Sequence, residues 1–164
     1  MGYLFLHGLD SSSRGHKGRY FKEHFPFMLT PDFQGDLKER MAQLYRIVAG
    51  DDQLVLVGSS FGGLMATIFG LQNPERVRRL ILLAPALNYH DVTGYGVLPL
   101  STETHVYIGD RDVVTPIADV QPLVCAIFCN YSFHRLGDDH MLAKTFLSIK
   151  WEELIGGPSL DSGQ

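Results

Sequence analysis

The segment Gly58-Ser59-Ser60-Phe61-Gly62-Gly63 follows the apolar run Leu54–Val57 and opens a second apolar stretch. It fits Gly-x-Ser-x-Gly, in which a sharp strand-to-helix turn lifts one serine, here Ser60, clear of the backbone. Such a turn strains its apex and brings the residues two before and two after so close that side chains would clash, hence Gly58 and Gly62. Gly63 would let the helix lie close against the sheet. A Gly/Ser-rich turn that merely joins two elements is the bland alternative, although the strand-before, helix-after context favours the sharper one. A phosphate-binding loop is set aside, since no lysine follows the glycines and Gly-x-Gly-x-x-Gly spacing is missing.

A serine hydroxyl attacks only when a base takes its proton and an acid orients that base. In a chain built this way the acid follows a later strand and the histidine follows the last one. Asp112 stands in Gly109-Asp110-Arg111-Asp112, after the strand expected at Thr104–Ile108, and His140 ends Gly137-Asp138-Asp139-His140. Asp110, and Asp91 after the preceding strand, compete with Asp112 for the acid. Asp138 and Asp139 read as turn and cap residues. Of seven histidines, His105 and His134 fall in or at the end of strands, and His16, His24 and His90 in loops or on a helix surface. His140 alone occupies a loop at the carboxyl end of the sheet, where ligand sites collect. Acyl transfer also needs donors aimed at a developing oxyanion. After the first strand, Gly8 permits a turn that presents the Leu9 N–H, and the Phe61 N–H supplies the second donor.

The elements that must position these groups alternate. Strands are expected at Tyr3–Leu6, weakly at Phe27–Leu29, and at Leu54–Val57, Leu80–Leu83, Thr104–Ile108 and Cys125–Phe133. Helices are expected at Arg19–Phe25, from an Asp36 cap to about Val48, from Ser60 to Asn73-Pro74, from Pro116 to Val124, and from Met141 to Leu154. Gly8–Gly18 is a loop. Fully apolar strands separated by helices mean a parallel sheet covered on both faces, an α/β three-layer sandwich with a mostly parallel sheet of about six strands. A single domain is expected over residues 1–155, with a disordered tail over 156–164.

The chain has 164 residues, 45% of them hydrophobic, and a formal net charge of −4. That is enough for one core, and the wrong sign for broad nucleic-acid or anionic-membrane binding. Two cysteines cannot build a disulfide framework or a four-thiolate zinc site, and fit a reducing compartment. Cys125 and Cys129 read as small core residues. The start, Met1 to Leu6, has no basic flank or cleavage-like site, so no signal peptide is expected. The uncharged stretch Gln53–Pro74 carries four glycines and a Ser-Ser pair, unlike a membrane span. A cytoplasmic protein is expected, without a metal or cofactor.

Taken together, Leu6-His7-Gly8, Gly58-Ser59-Ser60-Phe61-Gly62-Gly63, Gly109-x-x-Asp112-x-x-x-Pro116 and Gly137-x-x-His140 resemble the α/β-hydrolase fold in order and spacing. They cover residues 3 to about 155. The loop His7-Gly8-Leu9-Asp10-Ser11-Ser12-Ser13-Arg14 with Lys17 resembles that of the small YqiA-like (UPF0227-type) serine esterases. The resemblance implies a cofactor-free Ser60-His140-Asp112 carboxylesterase, with oxyanion donors at Leu9 and Phe61, and favours Asp112 over Asp110. It departs in lacking the N-terminal antiparallel edge strands. Only Ala84–Glu103 stands where larger members insert a lid, so a minimal, lidless form is implied.

The expected function is cleavage of small, short-chain acyl esters or thioesters through an acyl-enzyme. A non-catalytic ligand-binding protein of the same fold and a cofactor-free perhydrolase or haloperoxidase are the alternatives. Candidate substrate contacts are His7, Arg14, Lys17, Tyr89 and Tyr95. Arg14, His16, Lys17 and Arg19 form a basic cluster that reads either as a solvated face or as an anchor for an anionic substrate group. Arg76, Arg78 and Arg79 read as solvated.

Overall fold

A computed structural model describes residues 1–157. Five parallel strands lie side by side in chain order: β1 (Tyr3–Leu6), β2 (Leu54–Ser59), β3 (Val77–Leu83), β4 (Glu103–Gly109) and β5 (Tyr131–Leu136). β1 and the first five residues of β2 are buried on both faces, which is why their sequences run apolar without alternation. One side of the sheet packs on α2 (Leu37–Ile47), α3 (Phe61–Gln72) and α4 (Ile117–Ile127), through Leu4, Leu6, Leu56, Leu64, Phe69, Leu82, Val106 and Val124. The other packs on α1 (His16–His24) and α5 (Trp151–Ile155), through Phe5, Val57, Phe21, Ile81, Phe146 and Trp151. This is a three-layer α/β/α sandwich around a parallel sheet.

The sixth strand shrinks to a single bridge. Leu29 donates to Tyr3 O and accepts from Phe5 N, both at 2.8 Å, on the side of β1 away from β2. The pairing stops there because the next donor in register would be the N–H of residue 31, and Pro31 has none. The excursion has a consequence for the site. After β1 the chain passes outward to Leu29, then crosses back to place β2 on the opposite side. Neighbouring loops therefore part between the carboxyl ends of β1 and β2, the switch point where ligands of open α/β sheets bind.

Several boundaries differ from expectation. Helix α1 begins at His16, inside the expected loop, because Gly15 adopts an extended cap and accepts from Arg19 N at 2.9 Å. α4 runs on to Ile127 despite Pro122, so Cys125 lies on a helix and not on a strand. Val120, Val124 and Ile127 take the buried stripe of α4 and leave Cys125 exposed; Cys129, past the end of the helix, is exposed as well. The expected helix Met141–Leu154 is instead a one-turn 3₁₀ helix, Phe146–Ser148, and the short α5. Buried Asp138 captures the N–H groups of Lys144 and Thr145 at 2.9 Å each, and Trp151 Nε1 donates to Phe146 O at 2.9 Å. Those bonds compete with a continuous helix. β3 starts at Val77, so Arg79 pairs with Glu103 at 2.9 Å, and Arg76 donates to Val48 O and Asp51 O. Neither is a solvated connector. Of the expected tail, residues 158–164 lie outside the described residues. No helix among the described residues is long and apolar enough to cross a membrane.

Candidate active site

β2 delivers Ser60 at its carboxyl end, one residue before α3. Its backbone sits at φ 54°, ψ −113°, a region that costs a non-glycine residue roughly 1–3 kcal/mol. Four backbone hydrogen bonds hold it there. The Ser60 N–H donates to Leu83 O at 2.8 Å, and its carbonyl accepts from Gly63, Leu64 and Ala86 N–H at 2.9, 3.2 and 3.0 Å. Added Cβ atoms would collide with Gly62 O at Gly58, and with Leu6 O at Gly62. The elbow needs both glycines because β1, β2 and α3 meet there backbone to backbone.

Asp112, in the loop after β4, has a fully buried side chain. Its Oδ1 accepts from Val114 N at 2.9 Å and Thr115 N at 2.7 Å. Its Oδ2 accepts from Thr115 Oγ1 and from His140 Nδ1, both at 2.7 Å. Burial alone would push this carboxyl up, but the Thr115 N–H and hydroxyl, then His140, hold it below the ordinary aspartate value. An ionised carboxylate only accepts, so His140 Nδ1 carries the proton and Nε2 is left as an acceptor. Nε2 lies 3.0 Å from Ser60 Oγ.

Asp138 builds the loop that carries His140. Its carboxylate takes the N–H groups of Asp139, Lys144 and Thr145 and the Thr145 hydroxyl, at 2.8–2.9 Å. On the other side of Ser60, a Cβ placed at Gly8 would stand 3.5 Å from the Ser60 Cβ, so the β1 turn lies against the nucleophile. The Leu9 and Phe61 N–H groups donate to nothing among the described residues. Both flank a cavity of about 360 Å³ whose lining includes Gly8, Leu9, Lys17, Ser60, Phe61, Tyr89, Thr115 and His140. A half-buried, oriented base, a hydroxyl on a strained backbone and free donors beside one cavity are the parts acyl transfer requires.

Residues 2–111 match the model of the uncharacterised protein family UPF0227. The chain belongs to that family. The match takes in β1 through β4 and the Ser60 elbow, and stops one residue before Asp112. No curated protein matches by sequence. Among solved structures, Est1E from Butyrivibrio proteoclasticus is 15% identical, with 87% of this chain and 80% of that one covered at a TM-score of 0.70. A predicted CIB-like hydrolase from Thermoplasma acidophilum is 20% identical, covering 86% and 77% at 0.68. A monoacylglycerol lipase from Paleococcus ferrophilus is 14% identical, covering 84% and 85% at 0.66. At these identities the likeness is one of fold.

The UPF0227 chain brings Ser60, Asp112, His140, Leu9 and Phe61 together, and divides the expected substrate contacts. Lys17 and Tyr89 line the cavity; His7, Arg14 and Tyr95 do not. His7 is buried, accepts from Phe33 N at 2.9 Å and donates from Nδ1 to Gly8 O at 2.7 Å. It pins the turn behind Leu9 and presents nothing to a ligand. Arg14 points to solvent. Tyr95 packs with His90, 2.9 Å away, in a groove over α2 and α3. Asp91 caps Thr93 at the surface, and Asp110 reaches only the exposed Arg111. Sequence reasoning missed Thr115 and Met141, and named His16, which also lines the cavity, only as one of the basic cluster. For Thr115 the signal was present: Asp-x-x-Thr before a proline-started helix is the spacing at which an aspartate captures a backbone N–H three residues on.

Proposed function

We propose that this protein is a serine hydrolase that cleaves small, short-chain acyl esters or thioesters through an acyl-enzyme. One observation carries the reading: the unbroken hydrogen-bonded relay from Ser60 Oγ through His140 to Asp112, facing a cavity. As Ser60 Oγ attacks the carbonyl carbon, His140 Nε2 takes its proton and Asp112 stabilises the resulting imidazolium. The Leu9 and Phe61 N–H groups are free to meet the oxyanion. Collapse of the tetrahedral intermediate breaks the bond to the leaving oxygen or sulfur, which receives the proton from Nε2. Water then attacks the acyl-Ser60 ester with His140 again as base, releasing the acid and restoring the hydroxyl. The elements between β3 and β4 are a loop and one 3₁₀ turn, Thr93–Tyr95, with no helical lid over the cavity. That favours a small acyl group over an aggregated lipid.

The test is a panel of nitrophenyl esters of graded acyl length, assayed with wild type and Ser60→Ala. Hydrolysis that disappears in Ser60→Ala supports the reading. No hydrolysis by wild type, or hydrolysis that survives the substitution, overturns it.

A further inference from the structure

The relay and the oxyanion donors leave two charged side chains in the cavity without a task, the exposed Asp10 and the half-buried Lys17. Lys17, in the first turn of α1, lines the cavity beside His140 and Met141. Its ammonium donates to Met141 O at 2.6 Å, which uses one of three protons. The Phe146 ring lies 5.8 Å from Nζ. Among the described residues no carboxylate pairs with it, although Asp10 also lines the cavity. Burial draws its pKa down from the ordinary lysine value, against the pull of Asp138 and Asp139. A partly dehydrated ammonium with unused donors is costly to keep without a partner.

Its position says which part of a substrate it would meet. The leaving group must lie against His140, because Nε2 hands it a proton. Lys17 is tied to the residue next to His140. The acyl group is left with the wall that includes Phe61, Ala86, Tyr89 and Val114. We propose that Lys17 binds an anionic group, a carboxylate or phosphate, carried on the leaving-group part of the ester or thioester. This rests on the serine-hydrolase reading above.

The experiment compares S-acetyl-3-mercaptopropionate with its methyl ester, following thiol release with a disulfide reagent. Both give the same acetyl-enzyme, so their kcat/KM values differ through acylation alone. One charge-assisted hydrogen bond predicts that wild type prefers the anionic compound by at least about tenfold. With the charge gone in Lys17→Met the ratio falls to about one, Lys17→Arg keeps most of it, and Lys17→Glu inverts it. Fluorophosphonate labelling of Ser60 reports that each variant is folded. A wild-type ratio near unity, or a preference that survives Lys17→Met, overturns this inference and leaves the hydrolase reading standing. So does a larger preference for an anion on the acyl side, read with S-succinyl against S-butyryl thioesters of a neutral thiol. No thiol release from either compound, together with no labelling of Ser60, overturns both.

Discussion

Thr115→Val removes a single hydroxyl from the acid end of the relay and keeps the side-chain shape. The hydroxyl is one of four donors to the Asp112 carboxylate, at 2.7 Å, and that side chain is fully buried. A hydrogen bond to a buried charge contributes about 1.5–3 kcal/mol, so the variant should lose about that much folding stability at neutral pH. Part of the loss reaches the reaction, because the same Oδ2 holds His140 Nδ1. At 1.36 kcal/mol per factor of ten, transmission of about half of it lowers kcat/KM by roughly 4- to 13-fold. The pH dependence has a definite sign. Asp112 is held below the ordinary aspartate value, so its contribution to stability is present above that value and is lost as pH falls through the folded one. With one stabilising donor gone, the folded value rises, and the loss on acidification begins at higher pH than in wild type. Urea denaturation across a pH series and nitrophenyl acetate kinetics measure both effects, and Thr115→Ser should restore each. Thr115 Oγ1 also lies 3.3 Å from His140 Nδ1. If the hydroxyl donates there instead, it holds the imidazole in the unproductive tautomer. Thr115→Val would then raise kcat/KM, and the assignment of protons along the relay would be wrong.

Asp112→Asn should lower kcat by roughly 10³–10⁴-fold, far more than Asp110→Asn or Asp91→Asn, because it loses the ionised acceptor that fixes the tautomer; a crippled Asp91 variant would move the acid to the loop after β3. Gly62→Ala drives a methyl group into the Leu6 carbonyl and should cost about 1–3 kcal/mol or more in thermal denaturation, with activity lost as β1 and α3 part. Asp138→Ala strands three N–H groups and a hydroxyl; at about 1–3 kcal/mol for each left buried and unpaired, the His140 loop should loosen, read as faster hydrogen exchange there and a fall in kcat larger than any change in KM. Across nitrophenyl esters, kcat/KM should rise by up to about 0.8 kcal/mol per methylene while the acyl chain finds wall, then level off at a short chain; a steady rise into long chains would contradict a cavity without a lid.

The parts of the site that ride on strand ends were legible in the sequence, because chain order and apolar strands place them without any knowledge of side-chain contacts. Ser60 and Asp112 each follow a strand whose composition leaves little choice of element, and His140 follows the last strand, whose existence was legible although its start was not. Backbone donors were equally readable, since Gly8 and the residue after Ser60 are defined by the turn itself. What was not legible depends on rivalry for hydrogen bonds between segments far apart. Asp138, read as a turn residue, takes the N–H groups that would have continued a helix from Met141. The end of α4 was misplaced because Cys125–Phe133 is apolar enough for a strand, and only the inward stripe of Val120, Val124 and Ile127 decides for helix up to Ile127. His7 was expected at the substrate and is bound instead to Phe33 and Gly8, partners set by where the chain passes after Leu29. Lys17 and Arg14 part company because Arg14 stands before α1 and faces water, whereas Lys17 lies in the first turn of the helix, at the cavity.

The central claim is that Ser60 is a nucleophile activated by His140. Intact-mass measurement after treatment with a fluorophosphonate, on wild type and Ser60→Ala, tests it most directly. A single adduct on wild type that maps to the Ser60 peptide, with none on Ser60→Ala, is the predicted result. An adduct of equal yield on Ser60→Ala, or none on a wild-type protein that hydrolyses nitrophenyl esters, would contradict it.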